Sequence, residues 1–208
     1  NDPIVAERLI PKNHGFGTRR LPLESGYFET YNRDNVELVS VLEEPIDRIT
    51  RSGVKTSNRE FDFDILIYAT GFDGVAGPYD RIDFCGPNGR KLIDDWKVLP
   101  RTFLGVQAEG FPNLFMVLGP HTARGNIPRN IEEISDWVVG LIKFMRDKGH
   151  ERCEPRPGPV ETYTQEVLEV DALLLSSKVP SWQTGVNRNV EGKSVPRPLG
   201  YNGGAPRY

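Results

Sequence analysis

The chain has 208 residues, enough for one full domain or parts of two around a real apolar core. Hydrophobic residues make up 38% and charged residues 26%, and 26 Lys and Arg stand against 29 Asp and Glu for a formal net charge of -3. That balance argues against a nucleic-acid or polybasic membrane partner. No apolar run approaches the roughly 20 residues of a membrane span, and no signal peptide is visible.

In chain order, residue 1 is Asn rather than Met, which reads as a processed product or a fragment, and residues 1–18 show no period and read as a loop or frayed end. Val36 to Val41 alternates apolar and polar residues and predicts a strand. Ile49 to Val54 predicts a short strand with a turn at Ser52-Gly53. Phe61 to Tyr68 begins alternating and ends as a continuous apolar run, the pattern of a strand buried on both faces at its end, as in an α/β sheet. It runs into Ala69-Thr70-Gly71, where a domain hinge is expected. Thr102 to Val106 and Leu114 to Leu118 predict two more short strands, the second closed by Gly119-Pro120.

Ile131, Ile134, Val138, Leu141, Ile142 and Met145 recur at helical spacing. Glu132 and Glu133 are expected in the first turn of that helix, basic residues at its end, and Gly149 as its C-cap. Val160 to Leu175 predicts a second helix with Tyr163, Val167, Val170 and Leu174 on one face. From Ser176 to Tyr208 the chain is rich in Gly, Pro, Asn and Arg and reads as an ordered loop or lid, because Trp182, Tyr201 and Tyr208 need a surface to lie on.

Four places could carry chemistry. Arg19-Arg20, after Gly17, can face a phosphate or a developing anion, or be an exposed basic pair. Ala69-Thr70-Gly71 removes bulk at the end of a strand, where α/β proteins place ligands, or is a plain turn. Gly119-Pro120-His121 repeats that geometry, with His121 as a base, or as a surface residue or one that supports a site from behind. Trp182, on a Gly-rich loop, can fold over a cofactor ring or plug the core under the tail. Metal ligands are not expected, because Cys85 and Cys153 stand far apart with no Cys/His cluster. Two unrelated reduced thiols, suited to a cytoplasmic protein, are the reading.

Taken in order, Tyr27 to Val36, Asp64 to Asp73 with its Ala-Thr-Gly, Asn113 to Pro120, Asn126-Ile127-Pro128 with Ile131-Glu132, and Ser181-Trp182 to Lys193 resemble the C-terminal part of Baeyer–Villiger monooxygenases. The resemblance implies an α/β fold, the C-terminal portion of a two-dinucleotide-binding-domain, Rossmann-like flavoprotein. Residues 1–72 would complete the NADP-binding domain, 73–175 the FAD-binding domain, and 176–208 form the lid. It implies FAD and NADPH as cofactors, and insertion of one oxygen from O2 beside a ketone carbonyl through a peroxyflavin. Arg20 would be the catalytic arginine. Arg19 would face the NADP 2′-phosphate and Trp182 would touch the nicotinamide nucleotide. Ala69, Thr70, Gly71, Gly119 and Pro120 would line the cofactors.

No GxGxxG glycine loop stands in the 208 residues. A pyrophosphate needs such a loop opening onto a helix. The chain by itself is therefore expected to hold neither cofactor tightly, to be inactive, and to need the missing N-terminal half. Two other readings stand beside this one: a related monooxygenase of amines or sulfides, and a non-catalytic binding module.

Overall fold

The computed structural model of the chain describes residues 2–204, so Asn1 and Tyr208 lie outside the described residues. The chain divides into two compact units, Asn1–Phe16 with Arg20–Gly71, and Gly17–Arg19 with Phe72–Tyr208.

The first unit opens with a helix, α1 (Pro3–Leu9), where a loop was expected. The Asp2 carboxylate accepts from the Ile4 backbone N–H at 2.8 Å and from that of Val5, and Pro3 brings a φ already set for the first turn. None of its residues is buried, so there was no apolar face for a periodicity to reveal. A single turn, α2 (Tyr27–Thr30), follows Gly26.

The sheet of this unit is three-stranded and antiparallel, β1 (Ile46–Ile49), β2 (Gly53–Thr56) and β3 (Glu60–Asp62), in sequence order. Residues 50–52 form the first turn, so the strand expected over Ile49–Val54 is two strands of a hairpin. Gly53 is required there, because a Cβ would lie 1.9 Å from the Phe61 carbonyl oxygen.

Of two further strands predicted in this unit, one does not form and the other is cut short. Val36–Val41 finds no ladder partner among the described residues. Phe61–Tyr68 is strand only in the part that belongs to β3, and beyond it Ile65, Ile67 and Tyr68 are 78%, 81% and 68% exposed. A continuous apolar run is buried as a strand only where neighbours flank it and layers cover both faces. The described residues offer it neither.

The second unit carries the main core: Leu92, Trp96, Ala108, Phe111 and Met116, with Tyr79, Phe84 and Leu114 packed against them. Short turns α3 (Gly77–Asp80) and α4 (Leu92–Asp95) supply part of it. The strands predicted over Thr102–Val106 and Leu114–Leu118 are replaced by tight turns. Phe103 and Gln107 make an isolated antiparallel bridge around Leu104 and Gly105, both at positive φ, and Leu118 also has positive φ. Chain reversals this sharp leave no room for a ladder.

The long helix α5 runs Ile127–Asp147. It begins at Ile127, four residues before the apolar period, and is capped by Asn126, whose side chain accepts from the Arg129 N–H. Glu132 and Glu133 therefore fall in its second turn, not its first. Its end is as expected: Gly149 sits at φ +68, its N–H bonds the Arg146 carbonyl, and the His150 N–H reaches the Met145 carbonyl at 2.8 Å. This is the Schellman closure of a helix. Helix α6 (Pro157–Ala172) buries Val160, Tyr163 and Val167. Tyr163 and Val167 form a second cluster with Tyr201 from the tail.

Candidate functional site

The tail is tied into the second unit along its length. The His121 N–H donates to the Leu199 carbonyl at 3.0 Å, and the Tyr201 N–H to the His121 carbonyl at 3.1 Å. Leu199 and Tyr201 are buried. The Arg197 guanidinium donates to the Trp96 carbonyl at 3.2 Å, and Arg124 to the Gln183 carbonyl at 3.3 Å.

Arg19, in the same unit, donates from Nη2 to the Pro180 carbonyl at 3.0 Å, while its Nε is buried with no partner. Trp182 opens a 3₁₀ turn (Trp182–Thr184), is 47% exposed, and lies against Gly74, where a Cβ would stand 3.3 Å from its Cε3.

Gly119 and Pro120 are buried. A Cβ on Gly119 would meet Met116 at 2.9 Å and the Gly105 carbonyl at 3.0 Å, so close packing by itself requires glycine there. His121 is not a surface residue but a buried part of the wall of the cleft described below. It is 2% exposed, and burial pushes its pKa down to about 4, opposed by the nearby Pro198 carbonyl, which does not reach hydrogen-bond geometry with Nε2. Its Nδ1 lies 2.8 Å from Thr102 Oγ1, which itself accepts the Gly105 N–H.

The first unit holds the other expected residues, Arg20, Ala69, Thr70 and Gly71. The Arg20 guanidinium is exposed and makes no ion pair or hydrogen bond among the described residues, so its donors are available. Ala69, Thr70 and Gly71 are exposed, and Gly71 has φ +87 with open space around it. A flat ligand can approach that backbone closely.

Two features escaped sequence reasoning. One is a cleft of about 640 Å³ in the second unit, lined by Leu104, Val106, Arg124, Asn130, Trp137 and Tyr201 among others. Asn130 shapes its rim by donating to the Thr122 and Arg124 carbonyls. Burial works against the charge of Arg124 and of Asp171, and each partly offsets the other's loss of hydration. The second is a buried ion-pair cluster in which Lys193 meets Asp73 and Asp80. Its members stand up to 120 residues apart, so no local pattern announces them. Among the described residues no group of His, Cys, Asp and Glu could hold a metal, both cysteines are free, and no helix is long and apolar enough to cross a membrane.

Over its full length the chain is 42% identical to 2-oxo-Δ3-4,5,5-trimethylcyclopentenylacetyl-CoA monooxygenase of Pseudomonas putida, covering 38% of that protein. It is 37% identical over 187 residues to the Baeyer–Villiger monooxygenase of Pseudooceanicola batsensis, covering 89% of this chain and 34% of that one. This chain is a relative of part of the Baeyer–Villiger monooxygenases. Phenazine N-monooxygenase of Lysobacter antibioticus is 38% identical over the whole chain, again across 38% of its own length. No family model matches.

In fold, the chain superposes with a TM-score of 0.90 on the crystal structure of OTEMO in complex with FAD and NADP, at 42% identity, covering all of this chain and 38% of that one. The architecture is thus a portion of an α/β, two-dinucleotide-binding flavoprotein fold. The chain spans little more than a third of the length of the relatives it matches.

Proposed function

We propose that this chain is the C-terminal part of an FAD- and NADPH-dependent monooxygenase that inserts one oxygen atom from O2 beside a ketone carbonyl, giving an ester or lactone. One observation carries the reading: superposition and 42% identity over the entire chain with a protein solved holding FAD and NADP. The residues present fit a supporting share of the site. Ala69 to Gly71 offer exposed backbone, Trp182 a half-exposed indole, and Arg19 and Arg20 fixed cations. They do not supply a pyrophosphate loop, so the glycine loops come from outside residues 1–208. Residues 1–72 belong with the NADP-binding domain, 73–175 with the FAD-binding domain, and 176–208 form a lid. Free thiols and NADPH use suit a cytoplasmic enzyme.

When bound, the flavin supplies the redox chemistry with O2. The protein's part is to orient reactants and to stabilise charge. Arg20 presents a permanent cation with unclaimed donors, suited to an oxyanion that develops at the ketone carbonyl during attack. Arg19, tied to the Pro180 carbonyl, can recognise a phosphate while remaining attached to the tail. Trp182, half-exposed beside Gly74, would lie against the nicotinamide nucleotide and limit the access of water.

Arg20→Met in the full-length enzyme is expected to lower ester formation by about 10²–10³-fold, the scale of losing one preorganised donor to an oxyanion, with NADPH-driven flavin reduction retained. A panel of ketones, amines and sulfides is the test of reaction class. Turnover of amines alone, as the kinship with a phenazine N-monooxygenase would suggest, overturns the ketone reading.

A further inference from the structure

We propose that Lys193 is a positioning residue that clamps the tail loop 181–193 onto the segment 73–80, and that this clamp holds Trp182 where the nicotinamide nucleotide binds. The second half rests on the proposed function; the first stands on contacts within the second unit.

Lys193 is 9% exposed in a Gly- and Asn-rich stretch that otherwise runs near the surface. Its ammonium bonds the Asp73 carboxylate and lies 2.5 Å from Asp80 Oδ2. Lysine loses strong hydration on burial, and only close, well-formed pairing offsets that loss. A salt bridge on an open surface would contribute little. Here the side chains of Lys193 and Asp73 are each 10% exposed and that of Asp80 is 23% exposed, so the pairing decides whether the loop can stay docked.

Both partners are built around this contact. On the loop side, the Asn187 N–H donates to the Lys193 carbonyl at 2.8 Å, and the Lys193 N–H to the Val190 carbonyl. Residues 187–193 are closed on themselves, so the ammonium moves with the loop. On the other side, Gly77 has no room for a Cβ, which would lie 2.6 Å from the Asp73 carboxyl carbon. Glycine at 77 keeps the Asp73 carboxylate where Lys193 meets it. Trp182 rests on Gly74, the residue after Asp73. Holding Lys193 on Asp73 therefore also holds the indole in register.

The cluster has two carboxylates for one ammonium. Removing Lys193 leaves two largely hidden negative charges near each other, and the loop relieves this by lifting off. Removing Asp80 alone leaves a balanced pair and a weaker clamp.

The test uses the full-length protein with Lys193→Met, Lys193→Arg and Asp80→Asn. Hydrogen exchange of the peptide 181–193 is read beside that of α6 as a control for folding. NADP+ affinity and the KM of NADPH are measured in parallel. Lys193→Met is expected to speed exchange in 181–193 by about tenfold or more while α6 is unchanged, as for a local opening. It is expected to weaken NADP+ binding by a similar factor, with flavin reduction at saturating NADPH within about twofold of wild type. Lys193→Arg should restore most of both, and Asp80→Asn should fall between. If Lys193→Met disturbs α6 as well, Asp80→Asn decides on the same readouts.

Wild-type exchange in 181–193 overturns the clamp. A loosened loop with unchanged NADP+ affinity overturns its role toward the nucleotide. A wild-type enzyme that oxidises no NADPH refutes the proposed function instead, and the exchange measurement still decides the clamp.

Discussion

At the scale of single residues, His121 shows how little a side-chain type says before its surroundings are known. In sequence it stands after Gly-Pro in a presumed loop, where a base, a surface residue or a residue supporting a site is expected. The fold buries it between Thr102 and the ring of Tyr163, whose centroid lies 5.9 Å away. Burial lowers its pKa to about 4 from the ordinary 6.5. Between those values the unfolded chain binds a proton that the folded chain does not. Stability is therefore full above pH 6.5 and falls as pH drops toward 4, by on the order of 3 kcal/mol. Urea unfolding at pH 7 and pH 5 should show roughly half of this loss in wild type and a flatter dependence in His121→Gln, even though the variant is less stable at pH 7. An equal slope in both would assign the pH dependence to other groups.

At the scale of elements, the two long helices were legible, while α1 and most of the strands were not. The period of α5 and the glycine that ends it are local properties, and both stand in the structure. Yet of the six apolar positions that marked α5, only Ile134 is buried, while Ile131 and Ile142 are 37% and 48% exposed. The true start was written in Asn126 and Pro128, a cap and a proline suited to the first turn, rather than in the apolar period. Asn126→Ala removes the acceptor for the Arg129 N–H and should cost about 1 kcal/mol, read as a lower thermal midpoint. An unchanged midpoint would mean that the first turn is held by tertiary contacts alone.

The strands failed for a different reason. Alternation and apolar runs report where a strand would sit in a sheet, not whether its neighbours exist. Ile65 to Tyr68 has the composition of a central strand and no partner among the described residues. Leu104-Gly105 and Leu118 adopt positive φ, which composition at those positions does not reveal for leucine.

At the scale of the whole molecule, the distribution of apolar surface carries the prediction. Phe16, Leu23, Ile65, Ile67 and Phe72 are all at least 78% exposed, a pattern that marks surfaces meant to be covered. The isolated 208-residue chain should therefore self-associate, seen as a mass that rises with concentration in light scattering, and should purify without flavin absorbance. A flavin-loaded monomer of this chain would refute both the expectation of weak cofactor binding and the reading of those surfaces.

The sequence by itself determined the order of motifs, the two long helices and the absence of a glycine loop, because each is a property of neighbouring residues. From that order came the likeness to a flavin monooxygenase, which comparison of sequence and fold bears out. Only the tertiary structure decided that Lys193 meets Asp73 and Asp80, that His121 is neutral and buried, and that the cleft beside Trp137 exists. Each of these depends on contacts between residues far apart in the chain, and burial and charge are set by such contacts rather than by residue type.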